Sequence, residues 1–376
     1  MTSNLKKLTE HGQSVWFDDI NRDVIQSGRL AELKEHFAVT GGTSNPTIFE
    51  RAFSDSHAYD EQFKVLASRG YDPKRILDDL AVTDVQLAAD MFRDVYDQTD
   101  GRDGFISLEV SPKLAYDTEG TIREVKRLAD TVNRPNVMIK IPGTAEGIPA
   151  IEASLEAGIN INITLLFSIA NYGEVAEAYL SALEKRVADG QRIDNVASVA
   201  SFFVSRVDTI VDSSLMDSVQ SVSTEKEQYS LKGLEGKVAI ANAKLAYADY
   251  QKLFSSDRWR SLERSGARVQ RCLWASTSTK NEDYRDVMYV EQLIGPQTVN
   301  TMTESTLVAF QDHGVVGETL TEDIESAEAT LRKFEELGLS LTELTDELQR
   351  QGVSKFSDSL SAALEAIKSR AAGVKA

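Results

Sequence analysis

Lys140 is the residue with the clearest potential for chemistry, in the stretch Val137-Met-Ile-Lys-Ile-Pro-Gly-Thr144. The apolar run around it predicts a buried β-strand that ends at a Pro-Gly turn. An unpaired ammonium group is costly to bury, and an amine that gives up its proton there can attack a carbonyl and form a Schiff base. This stretch alone leaves two ordinary alternatives open: the lysine reaches water at the strand end, or it pairs with a carboxylate.

Other polar side chains collect near the C-terminal ends of short apolar runs. Together with Lys140 they are Asp18, Asn45, Glu109, Asn162, Thr164 and Ser201. Side chains alternate between the two faces of a strand, so Asn162 and Thr164 share one face of their run and isoleucines share the other. Such a buried set is hard to explain as packing, because each polar group needs a partner.

The set therefore predicts an active site for imine chemistry. Lys140 is the expected nucleophile, and Glu109 and Asp18 are the candidates for moving protons. Asn45 and Asn162 are suited to orient substrate hydroxyl groups.

Arg206 begins the helix predicted after the sixth run, in Ser201-Phe-Phe-Val-Ser-Arg206. A guanidinium beside helix-start amides can hold a phosphate group. The ordinary alternative is an arginine solvated on the helix surface.

Eight short apolar runs alternate with helical patterns along most of the chain, which predicts an α/β fold of the (β/α)8 TIM-barrel type. A doubly wound open sheet is the alternative, but neither a Gly-x-Gly-x-x-Gly motif nor a phosphate-binding loop motif follows the first run. Residues 1–376 are predicted to form one barrel domain. A polar loop is expected to be inserted at about 217–236, and additional C-terminal helices at about 320–375.

The composition limits the classes of partner. With 41 basic and 59 acidic residues the net charge is −18, which disfavours nucleic acid and anionic membranes. An anionic substrate must then be received by a local cluster of positive groups. One cysteine fits a reducing compartment, four scattered histidines suggest no metal site, and no signal peptide or membrane span is evident. Cytoplasmic localisation is the expectation.

Five motifs carry a resemblance to a known family. They are Thr43-Ser-Asn-Pro-Thr-Ile-Phe49, Ser107-Leu-Glu-Val-Ser-Pro112, Met138-Ile-Lys-Ile-Pro-Gly-Thr144, Asn160-Ile-Asn-Ile-Thr-Leu-Leu-Phe-Ser168 and Ala200-Ser-Phe-Phe-Val-Ser-Arg-Val-Asp208. In this order they resemble transaldolases, and the length resembles the longer bacterial type. The resemblance implies a TIM barrel of the pentose phosphate pathway that needs no cofactor. It implies transfer of a dihydroxyacetone unit from sedoheptulose 7-phosphate to glyceraldehyde 3-phosphate, giving erythrose 4-phosphate and fructose 6-phosphate.

The resemblance also implies roles for individual residues. Lys140 corresponds to the Schiff-base lysine, Asp18 to the aspartate that acts on the C4 hydroxyl, and Glu109 to the glutamate that moves protons through a water also held by Thr164. Residues that correspond to substrate contacts are Asn45, Asn162, Ser201, Phe203 and, for the phosphate, Arg206.

One position departs from the family pattern. A second phosphate arginine is usual after the seventh strand, but here the sequence reads Ala275-Ser-Thr-Ser-Thr-Lys280. Lys280 is the expected replacement, as a point charge without the two-pronged geometry of arginine. Two other functions stay open: a class I aldolase that releases free dihydroxyacetone, and a non-catalytic barrel that acts as an interaction protein. The expected assembly is a monomer or a homodimer.

Overall fold

Eight parallel strands form a closed barrel in which each strand pairs with the next and β8 pairs with β1. The computed structural model describes residues 3–374. The strands are β1 (Gln13–Phe17), β2 (Val39–Thr43), β3 (Ile106–Glu109), β4 (Val137–Pro142), β5 (Ile161–Leu166), β6 (Ser198–Phe203), β7 (Arg271–Ala275) and β8 (Thr298–Met302). The predicted TIM barrel is therefore confirmed.

Helices follow the strands and surround the barrel. They are α1 (Asn4–Glu10), α2 (Arg22–Gln26), α3 (Arg29–His36), α4 (Pro46–Asp55), α5 (Asp60–Ser68), α6 (Pro73–Met91), α7 (Arg93–Gln98), α8 (Thr118–Val132), α9 (Gly147–Glu156), α10 (Ile169–Ala188), α11 (Ser205–Ser221), α12 (Glu225–Lys232), α13 (Val238–Leu253), α14 (Asp257–Arg264), α15 (Met288–Glu291), α16 (Glu304–His313), α17 (Ile324–Glu336) and α18 (Leu341–Val374). A short 3-10 turn covers Pro112–Leu114. Within residues 3–374, no helix is both long and apolar enough to cross a bilayer.

Two segments differ from the sequence-based prediction. The stretch 217–236, predicted as a loop, contains the end of α11 and all of α12. Thr224 is the N-cap of α12: its hydroxyl accepts a hydrogen bond from the amide of Glu227 and donates to the side chain of Glu227 at 2.6 Å, so this cap outweighs the polar composition. Helix α4 was not predicted, although Asn45 at its N-cap and Pro46 at its first position are strong start signals.

The C-terminal helices were predicted, and the structure shows what they cover. Helix α18, with 34 residues, contacts α4, α6, α11 and β5. Predicted residue 375 lies outside the described part of the chain.

The N-terminal end of the barrel interior is filled by side chains. Trp16 packs against Phe105 at a ring distance of 6.5 Å, and its indole N–H donates to Asp103 at 2.7 Å. Ser14 donates to the other oxygen of Asp103, so this buried carboxylate is satisfied. An active site is therefore expected at the C-terminal end of the barrel, where barrels of this type carry theirs.

Candidate active site

Lys140 and Glu109 meet inside the barrel because their strands pair in register. Glu109 ends β3 and lies opposite Lys140 of β4. The ammonium nitrogen Nζ lies 3.4 Å from Oε2 of Glu109, and the side chains are only 7% and 2% exposed. Nζ also donates to the backbone carbonyl of Ser44 at 3.4 Å. The alternative of a carboxylate partner is thus correct, but the lysine is buried and does not reach water.

Burial sets the electrostatics of this pair. The pKa of Glu109 is raised because its carboxylate is desolvated, and the positive charge of Lys140 opposes that rise. Neither oxygen of Glu109 has a hydrogen-bond partner among residues 3–374. A carboxyl group that holds its proton more strongly than usual, beside an amine, is suited to exchange protons during imine chemistry.

Asn162 extends the site across the barrel interior. It lies beside Lys140 in the register of β4 and β5. Its amide nitrogen donates to the hydroxyl of Ser107 at 3.0 Å, and its amide oxygen accepts from the hydroxyl of Ser201 at 2.7 Å. All three residues are buried, so the hydrogen bonds fix the orientation of the amide next to the lysine.

Thr164 lies further along β5, opposite Pro142 in the register with β4. Its hydroxyl is buried without a hydrogen-bond partner among the described residues. Leu165 follows in a left-handed conformation with φ of 59°, where the register with β6 shifts. A bulge of this kind changes the direction of side chains and is common beside active sites.

Asp18 follows β1 on the other side of the opening. Its oxygen Oδ1 accepts from the hydroxyl of Thr43 at 2.6 Å, and its backbone N–H donates to the carbonyl of Met302. Its negative charge contributes to the raised pKa of Glu109 and opposes the lowering of the pKa of Arg206. Asp18 therefore lies within electrostatic range of both groups.

Asn45 has a structural task that the sequence did not predict. Its side-chain oxygen accepts from the amides of Thr47 and Ile48 and so caps α4. The amide nitrogen has no partner among the described residues and stays available as a donor. A cavity of about 140 Å³ between β3 and helices α4, α6, α8 and α18 reaches both Asn45 and Glu109.

Arg206 forms the centre of a second cluster. Its guanidinium lies 4.9 Å from the ring centre of Phe203 and 5.9 Å from that of Phe356 on α18. Burial lowers the pKa of Arg206. Lys280 is largely exposed, and its pKa is lowered by desolvation and then by the positive charge of Arg206, so the two cations lie within electrostatic range of each other. Arg206 is half-buried beside two aromatic rings, so it is not the fully solvated arginine of the alternative prediction.

The structure thus brings the predicted residues into two adjoining clusters. Phe203, predicted to touch substrate, packs beneath Arg206 and fixes its position. Sequence reasoning missed Thr43 and the Ser44 carbonyl, although both stand in a motif that it singled out. It also missed Phe356, for which the local sequence of α18 gives no signal.

Comparisons with known proteins agree with this geometry. The family model described as transaldolase/fructose-6-phosphate aldolase matches residues 15–367. A protein named transaldolase from Parafrankia sp. is 46% identical over 369 residues, which cover 98% of each chain. Transaldolase 2 of Streptomyces coelicolor is 45% identical over 95% of this chain and 94% of its own. The transaldolase of Acidothermus cellulolyticus is 47% identical, also over 95% and 94%.

Proposed function

Because the chain belongs to the transaldolase/fructose-6-phosphate aldolase family, we propose that it acts as a transaldolase. It transfers a dihydroxyacetone unit from sedoheptulose 7-phosphate to glyceraldehyde 3-phosphate and yields erythrose 4-phosphate and fructose 6-phosphate. No cofactor takes part. The observation that carries the proposal is the buried pair of Lys140 and Glu109 at 3.4 Å, inside a barrel whose C-terminal opening also holds Asp18.

The first step is imine formation. After the ammonium group of Lys140 has given a proton to Glu109, its amine attacks the C2 carbonyl of the ketose, and the resulting carbinolamine loses water to give a protonated imine. Glu109 supplies and removes the protons through a water that the Thr164 hydroxyl also binds. The raised pKa of Glu109 and the unpaired hydroxyl of Thr164 support this assignment.

The second step breaks the bond between C3 and C4. Asp18 takes the proton of the C4 hydroxyl, the C4 aldehyde leaves as erythrose 4-phosphate, and the bonding electrons move to the imine as an enamine. The enamine then attacks the aldehyde carbon of glyceraldehyde 3-phosphate, and Asp18 returns the proton. Hydrolysis of the new imine releases fructose 6-phosphate and restores Lys140.

The remaining residues bind the substrate. Asn162 and the free amide nitrogen of Asn45 donate to the hydroxyls of the dihydroxyacetone unit, and Ser201 holds Asn162 in place. Arg206 and Lys280 bind the phosphate, and Phe203 supports Arg206. The single cysteine supports a cytoplasmic location, and we propose a monomer or a homodimer.

A coupled assay tests the proposal. Sedoheptulose 7-phosphate is supplied with and without glyceraldehyde 3-phosphate, and erythrose 4-phosphate is measured. Transfer predicts turnover only with the acceptor, whereas release of free dihydroxyacetone without acceptor would indicate an aldolase. Borohydride with fructose 6-phosphate should fix a sugar-derived mass on Lys140, and Lys140→Met should abolish it. Labelling of another residue would contradict the assignment, and absence of both activities would favour a non-catalytic barrel.

A further inference from the structure

Helix α18 crosses the C-terminal end of the barrel directly above the site. The side-chain amide of Gln349 donates to the backbone carbonyls of Gly143 at 3.0 Å and Leu165 at 3.2 Å. Gly352 faces Leu165 so closely that a Cβ atom there would lie 2.8 Å from the leucine side chain. Four residues beyond Gly352, Phe356 covers one face of Arg206. The helix is therefore held against the residue that follows β4, against the C-terminal end of β5 and against the Arg206 cluster.

The four cations of α18 differ in their partners. Arg350 pairs with Glu347 at 2.8 Å, Lys368 pairs with Glu365 at 3.4 Å, and Arg370 pairs with Asp60. Lys355 alone has no carboxylate within 4.0 Å among residues 3–374. It adjoins Phe356 in the chain and so lies at the end of the helix segment that covers Arg206.

Lys355 lies on the face of α18 that covers the barrel opening: Gly352, one turn earlier, faces Leu165, and Ser359, one turn later, contacts the hydroxyl of Thr47 at 2.9 Å. The positive charge of Lys355 is one of the influences that lower the pKa of Lys280, together with Arg206. Arg206 itself makes no salt bridge with any described residue, and the negative charges of Asp18 and Glu109 only oppose the lowering of its pKa by burial. The three cations carry more positive charge than Asp18 and Glu109 balance, so this cluster favours binding of an anion although the whole chain has a net charge of −18.

We propose that Lys355 of helix α18 binds the substrate phosphate together with Arg206 and Lys280 and thereby sets the preference for phosphorylated over unphosphorylated ketoses. This inference rests on the proposed function, because it assigns the same site a third phosphate ligand. Arg206 supplies the planar donor, beside the rings of Phe203 and Phe356, and the two lysines supply point charges. Lys280 is the expected replacement for an arginine after β7, and Lys355 adds a further positive charge from α18.

Removal of the Lys355 charge should change substrate binding more than the rate of the chemical steps. Loss of one hydrogen bond to a charged group weakens binding about 10- to 150-fold. For an exposed lysine the lower end applies, so removal of the Lys355 charge should weaken binding of a phosphorylated ketose about tenfold. An interaction that is equally strong in the ground state and the transition state changes KM and leaves kcat nearly constant.

The experiment measures borohydride labelling of Lys140 as a function of ketose concentration, with fructose 6-phosphate and with fructose. The variants are Lys355→Met, Lys355→Arg and, as a control on the same helix, Lys368→Met. We divide the half-saturating concentration of fructose 6-phosphate by that of fructose. This ratio should rise about tenfold in Lys355→Met. It should return to within about threefold of the original value in Lys355→Arg and stay constant in Lys368→Met.

Two results would overturn the inference, and both can be distinguished from a result that would overturn the proposed function. A ratio within twofold of the unmodified protein in Lys355→Met would show that the lysine does not bind phosphate. An equal rise for both sugars would show that it acts only by holding the helix. Absence of labelling of the unmodified protein by either ketose would instead overturn the proposed function, and this inference with it.

Discussion

Replacement of Arg22 by alanine should destabilise the fold strongly. Arg22 begins α2, four residues after Asp18, and its guanidinium forms a buried ion pair with Asp84 on α6. The two side chains are 5% and 0% exposed. The guanidinium also donates to Gln62 at 2.8 Å and to the Leu80 carbonyl at 3.3 Å. In the variant the Asp84 carboxylate would remain buried without its cation, which typically costs about 3–5 kcal/mol.

The pH dependence of this loss distinguishes the mechanism from simple loss of packing. Burial raises the pKa of Asp84 to about 6, and Arg22 opposes that rise. Without Arg22 the pKa rises further, so the folded variant takes up a proton above pH 6 that the unfolded chain does not bind. A raised carboxyl pKa gives stability that is present at low pH and is lost as the pH rises. The free energy of unfolding of the variant then changes by up to about 1.4 kcal/mol per pH unit. Lowering the pH from 8 to 6 should therefore recover about 2 kcal/mol of the stability lost in Arg22→Ala.

Urea unfolding followed by tryptophan fluorescence measures the effect, since Trp16, Trp259 and Trp274 are all buried. Arg127→Ala is the matched control. Arg127 also contacts two carboxylates, Asp78 and Glu124, but it is 41% exposed, so its removal should cost less than about 1 kcal/mol. The reasoning is refuted if Arg22→Ala is no more destabilising than Arg127→Ala, or if its loss is the same at pH 6 and pH 8.

Three further predictions concern catalysis and pH. Asp18→Ala should still form the imine with fructose 6-phosphate but release glyceraldehyde 3-phosphate about 10²–10⁴ times more slowly in a single-turnover assay, because the base for cleavage is lost. Glu109→Gln should slow borohydride labelling of Lys140 by a similar factor in rapid-quench experiments, because an amide cannot transfer the proton. Burial raises the pKa of Asp208 to about 7. The contribution of Asp208 to stability is therefore present at low pH and lost as the pH rises through 7. Between pH 5 and 6.5 the free energy of unfolding should fall with pH by about 1.4 kcal/mol per unit on account of this group, and Asp208→Asn should remove that part of the slope. Urea unfolding at several pH values measures it.

A defined result would contradict each of these predictions. Near-normal cleavage by Asp18→Ala would remove Asp18 from the mechanism, and normal labelling of Glu109→Gln would remove Glu109 from imine formation. Equal pH slopes with and without the Asp208 carboxylate would show that another group controls them. Asp97→Ala, which removes an exposed carboxylate paired with Arg93, should leave turnover and stability nearly constant.

Much of the support for the site is not visible in local sequence. Asp208 stands in a motif singled out for catalysis, yet it accepts from the amide of Ala239 and the hydroxyl of Tyr289 and so holds α13 and α15 behind the barrel. Asn45 likewise caps a helix as well as facing the site. A motif residue can therefore serve the fold, and only its contacts separate the two roles.

The sequence by itself determined the barrel and most of the polar residues that meet inside it. Alternation of apolar and polar residues in β4 and β5 decides which side chains enter the interior, since neighbouring residues in a strand face opposite sides. That rule placed Lys140, Asn162 and Thr164 correctly without any knowledge of distant contacts.

Only the tertiary structure decided which distant segments complete the site. Arg206 and Phe356 belong to helices far apart in the chain, and their contact depends on how α18 folds back over the barrel. The same holds for Lys355 and for the pairing of Arg22 with Asp84. The periodicity of a segment indicates which face of its helix or strand is buried. Contacts between distant elements depend on closure of the barrel and on packing of the whole chain, so the sequence of a short segment does not predict them.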